Sequence, residues 1–61
     1  MNDIEELRQA IKDKMTSEGL GVRRAARAIG DIGFRALWRF LREDHIPKHL
    51  SVRAMERWVE M

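Results

Sequence analysis

Apolar residues recur at spacings of three and four along most of the chain, and the first such run, Ile4, Leu7, Ile11 and Met15, predicts an amphipathic helix from about residue 3 to about residue 17. Asn2 stands before it as an N-cap with Glu5 three positions on as a capping-box partner, Glu6 adds negative charge at the positive end of the dipole, and Gly19 is placed to stop the helix. A second, shorter run carries Val22, Ala25, Ala26 and Ile29 on one face and ends at Gly30. The turn Gly-Asp-Ile-Gly follows, and Phe34, Leu37, Phe40 and Leu41 then form the apolar face of a third helix that ends near Arg42 or Glu43. Pro47 blocks continuation. Ser51 is the best N-cap for a last helix, with Leu50 and Met55 as a hydrophobic staple and Val52, Met55 and Val59 as the buried stripe. No segment alternates with period two, so the expected fold is all-α: a compact bundle of four short helices.

Sixty-one residues suffice for one domain with a small core and exclude a multidomain enzyme. The chain has no cysteine, so neither disulfides nor thiolate zinc can brace it, while 44% apolar and 36% charged residues are enough for a minimal helical core. Apolar stretches of two or three residues are far short of a membrane span or a signal-peptide core. The expectation is a soluble, cytoplasmic protein.

A net charge of +2 says little, but its distribution says more. Residues 1 to 18 carry a net −2 and residues 43 to 61 a net −1, whereas residues 19 to 42 set Arg23, Arg24, Arg27, Arg35, Arg39 and Arg42 against Asp31 alone, a net +5. Every cation of that middle third is arginine, whose planar fork suits bidentate partners such as phosphates and base edges. At 100° per residue Arg35, Arg39 and Arg42 fall within about 60° of one another, with Leu37, Phe40 and Leu41 on the other side and Trp38 at the border. Trp38 can therefore cap the core or lie against a sugar-phosphate backbone. Two short helices joined by a glycine turn, the second basic on its outer face, are the layout of a helix-turn-helix. The plain alternative is a set of arginines that only solubilises the helix.

The stretch from Gly19 to Phe40, GLGVRRAARAIGDIGFRALWRF, resembles the lambda repressor/Cro-like helix-turn-helix family of phage and bacterial regulators. Ala26 stands for that family's alanine in the second helix, Gly30 for its turn glycine and Leu37 for its apolar residue in the third helix. Pro47, Ser51 and Val52 to Val59 match the later pattern of proline, cap and amphipathic helix. Relative to that pattern Asp31 lengthens the turn by one residue. The resemblance implies a sequence-specific binder of double-stranded DNA that works as a homodimer.

From these readings Arg35 and Arg39 are expected to read bases in the major groove, and Arg23, Arg27, Arg42 and Trp38 to contact the DNA backbone. Trp58 and Met61 on the last helix are candidates for a dimer interface, or else ordinary core. No catalytic activity, cofactor, metal or small-molecule substrate is expected. His45 and His49 are separated by Pro47 with no further ligand to complete a metal site, and the neighbours Glu43 and Asp44 read as a solvated helix end. A rival class remains: a small helical protein-interaction module, such as a phage-encoded inhibitor, that docks its arginine face on an acidic partner.

Overall fold

A computed structural model describes residues 3–42 and 45–61. It contains four helices, α1 (Asp3–Glu18), α2 (Val22–Ile29), α3 (Phe34–Leu41) and α4 (His49–Val59). They hold 75% of the described residues, and no strand occurs among those residues, so the class is all-α as expected. A Cα radius of gyration of 10.1 Å compares with about 10.5 Å expected for a folded chain of this length.

The helix ends show which local signals decided them. Gly19 and Gly30 adopt φ of 66° and 98°, the left-handed region that stops a helix at little cost only when the residue lacks a Cβ. The Gly30 amide still donates to the Ala26 carbonyl at 2.9 Å as the chain turns away. Helix α3 ends at Leu41, its last apolar residue, one or two residues before the expected end near Arg42 or Glu43. The proposed Asn2 cap and the carboxylates Glu43 and Asp44 lie outside the described residues.

The start of α4 departs from expectation. It begins at His49, with Lys48 at the cap position, and the Val52 amide donates to the Lys48 carbonyl at 3.0 Å. Ser51 is therefore inside the first turn. Its hydroxyl donates instead to the Asp31 carbonyl at 2.6 Å, a partner 20 residues away in the turn before α3. The Leu50–Met55 staple does not form either, because a separation of five within one helix turns the two side chains about 140° apart. Met55 is fully buried and Leu50 is exposed.

The core gathers Leu7 and Ile11 from α1, Ala25 and Ala26 from α2, Ile32 from the turn, Leu37 and Phe40 from α3, and Met55 and Trp58 from α4. Helices of eight residues are too short to persist alone, so α2 and α3 hold their form by packing on each other and on the longer pair. The small side chains of Ala25 and Ala26 let α2 come close to its neighbours. Trp58, a candidate for a dimer interface, belongs to this core with 6% of its surface exposed, whereas Met61 is 90% exposed.

Two cations of α1 fasten the frame. Arg8, itself buried, donates from Nε to the Phe40 carbonyl at 2.7 Å, pairs with Glu5, and lies 4.9 Å from the Phe40 ring centre. Lys14 donates from Nζ to the Trp58 carbonyl at 2.6 Å and sits 4.7 Å from the Trp58 ring centre. Both carbonyls lie in the last turn of a helix, where free acceptors and the negative end of the dipole favour a cation.

Candidate nucleic-acid interface

Gly21 and Gly33 occupy the N-cap positions of α2 and α3 in extended conformations, and neither offers a side chain to close the leading amides. No acidic residue stands in the first turn of either helix. Both helices thus begin with uncompensated positive ends next to arginines.

The turn between them is anchored rather than loose. Ile32 is buried in the core, the Asp31 carbonyl accepts the Ser51 hydroxyl, and the Asp31 carboxylate faces Arg57 of α4 at 3.7 Å. Asp31 is therefore tied to α4 by its carbonyl and by its carboxylate. This ties the entry of α3 to the rest of the frame, while Arg8 holds its far end through Phe40.

Between these anchors α3 presents an outer face that joins the start of α2. One groove is lined by Gly21, Val22 and Arg23 with Phe34, Arg35, Trp38 and Arg39. An adjacent depression is lined by Arg23, Ala26, Arg27, Gly30, Ile32 and Phe34. The two share Arg23 and Phe34, so Arg23, Arg27, Arg35 and Arg39 belong to one continuous surface, and Arg42 joins it by stacking on Trp38 at 4.6 Å. All five arginines are exposed, and no carboxylate lines either depression. Arg24, though exposed, lines neither.

Four of these arginines fall into two pairs. Arg23 lies 4.4 Å from the Phe34 ring centre and Arg42 over Trp38, so each is steadied by an aromatic face. Arg35 and Arg39 have no ion pair or ring contact with any described residue. About 40° apart on the helical projection, they extend from one face of α3.

Phe34 was expected on the core face and is instead 39% exposed. On the helical projection it lies about 60° from Leu37 and 120° from Phe40, at the margin of the apolar stripe. It is also the first residue of α3, where no preceding turn of helix covers it. The marginal angle was visible in the sequence; the lack of a covering neighbour was not. Trp38, 46% exposed, stands one turn further along the same edge.

Elsewhere the surface carries an acidic depression. A depression between α1 and α4 is lined by Glu6, Leu7, Ala10, Glu56, Val59 and Glu60, with three carboxylates and no cation. No helix is long and apolar enough to cross a membrane among the described residues. No family model matches this chain, and no curated protein or solved structure matches it.

Proposed function

We propose that this protein binds double-stranded DNA in a sequence-specific manner, as a small transcriptional regulator of the repressor/Cro-like type without catalytic activity, with α2 and α3 as its helix-turn-helix. The observation that carries the reading is the unbroken arginine surface contributed by α2 and α3, free of carboxylates in its two depressions. In this reading α3 enters the major groove. Arg35 and Arg39, which no described residue engages, read guanine edges, while Arg23, Arg27 and Arg42 meet phosphates and the open amides of α2 help to hold the backbone. The anchored turn supports it as well, because base readout needs a helix held at a fixed angle.

The reading includes a two-fold homodimer, since one such unit has little surface for strong specificity. With Trp58 in the core, Met61 is the interface candidate that remains at the surface. The exposed rings of Phe34 and Trp38 favour one rival: a protein-interaction module whose arginine-rimmed groove takes an apolar side chain of an acidic partner.

Selection from a random duplex pool at several salt concentrations tests the proposal. Binding should enrich a defined sequence, and affinity should fall with salt at a log-log slope of about −3 per chain for three phosphate contacts. A slope near zero, or no duplex binding at low salt, rejects it, and the second result favours the rival. Sedimentation of the free protein and of its DNA complex tests the dimer: a monomer in both would remove it.

A further inference from the structure

We propose that Phe34 and Trp38 are specificity residues that contact thymine 5-methyl groups, so that the preferred site carries thymine beside the guanines read by Arg35 and Arg39. The inference rests on the DNA-binding reading and adds a second chemistry to the same surface. Its basis is that the two rings, one helical turn apart, form an apolar wall inside a groove of about 600 Å³ that Arg23, Arg35 and Arg39 also line.

Two exposed aromatic rings side by side are unfavourable on a small soluble domain unless something covers them. The surrounding charge names the occupant. A groove with three arginines and no carboxylate suits a polyanion, and the edge of a base pair in the major groove offers one apolar feature, the thymine methyl. Val22 at the start of α2 continues the apolar lining. The rings are also steadied, since the Arg23 guanidinium lies over Phe34 at 4.4 Å and the Arg42 guanidinium over Trp38 at 4.6 Å.

Those stacked guanidiniums weigh toward edge contact over stacking. A ring that serves as a platform for an unpaired base offers it a whole face, and the guanidinium over each of these rings leaves only the opposite face for that. Lateral contact with a methyl group needs no open face. It places Trp38 at base edges, where the sequence alone suggested the sugar-phosphate backbone. The same ring-cation pairs then link the two kinds of contact: Arg23 and Arg42 reach phosphates while the rings beneath them touch the bases.

The test starts from the site selected from the random duplex pool and replaces each thymine in turn by deoxyuridine, which lacks only the methyl group. At one or more positions the wild-type protein should bind about fourfold more weakly, the effect of one buried methyl. Phe34→Ala or Trp38→Ala should abolish that difference while leaving the helical circular dichroism spectrum unchanged, because both side chains are substantially exposed. Equal affinity for thymine and uracil at every position, with specific duplex binding intact, overturns the proposal and leaves the DNA-binding reading standing. Tighter binding to single-stranded oligonucleotides of the same sequence than to the duplex overturns both, as does capture of an acidic peptide with no duplex binding at low salt.

Discussion

Four cations lie over aromatic rings among the described residues, two inside the frame and two on the α2–α3 surface. Arg8 over Phe40 and Lys14 over Trp58 are drawn in, and each also donates to a backbone carbonyl in the last turn of a different helix. Arg23 over Phe34 and Arg42 over Trp38 have similar ring distances, yet both rings are substantially exposed and both arginines are in solvent. The same chemistry thus fastens helices in one region and presents charge in the other. What differs is the second partner: a buried pair must satisfy every polar atom inside the protein, while an exposed pair can leave its donors for a ligand. A cation–ring contact alone says nothing about role.

The two tryptophans break this comparison most sharply if it is wrong. Trp58→Ala should cost about 3–5 kcal/mol, a buried ring lost with its cavity left behind, which leaves little of the about 3–5 kcal/mol available to a core this small. Trp38→Ala should change stability by less than about 1 kcal/mol. Urea denaturation of both variants checks the pair, and equal losses would mean that the surface ring is structural. For the same reason a charged residue at position 58 should unfold the chain instead of simply dissociating a dimer.

Next in size is the contrast between Arg8 and Arg23. Arg8→Ala should lose about 2–3 kcal/mol of stability, because it removes a charge-assisted hydrogen bond and the packing of a buried stem. Arg23→Ala should leave the denaturation midpoint almost unchanged. Its effect should appear in DNA titrations as a salt slope about one unit smaller and a uniform weakening over all sequences. Loss of sequence preference in Arg23→Ala would place it at the bases.

Arg35 and Arg39 sharpen the comparison within the exposed region itself. Arg35→Ala or Arg39→Ala should relax preference at one base position of each half-site, worth about 1–3 kcal/mol of discrimination, with stability within about 0.5 kcal/mol of wild type. Site selection repeated on each variant reads this directly. Unchanged preference in both would show that the reading face lies elsewhere on α3.

Smallest is the link between the two regions, Ser51 to the Asp31 carbonyl. Ser51→Ala should cost about 0.5–1 kcal/mol in denaturation and weaken specific DNA binding more than non-specific binding, since the turn would hold α3 less firmly. Equal weakening of both would show that this anchor does not orient the helix.

Much of the frame was legible from short-range patterns. Helix α1, a short α2 and the stops at Gly19 and Gly30 followed from spacing and from the one residue type that tolerates positive φ. The arginines were recognisable as a set because the middle third contains no lysine and a single carboxylate. Phe34 was misplaced, as periodicity identifies an apolar face but not how far a neighbouring helix extends over it. The start of α4 was misread because Ser51 is a good cap by type, and its competing partner lies 20 residues away.

The sequence by itself determined the four helical segments, the stops of α1 and α2 and the concentration of arginine in one segment, since these depend on residues within about one turn of each other or on composition alone. Only the tertiary structure decided which of two similar side chains goes inside: Trp58 rather than Trp38, Phe40 rather than Phe34, Arg8 rather than Arg23. Local rules assign each pair nearly the same character. Burial is settled by distant partners, such as the Phe40 carbonyl 32 residues from Arg8 and the Trp58 carbonyl 44 residues from Lys14. A buried cation is stable only where such an acceptor meets it, and that meeting depends on the packing of all four helices.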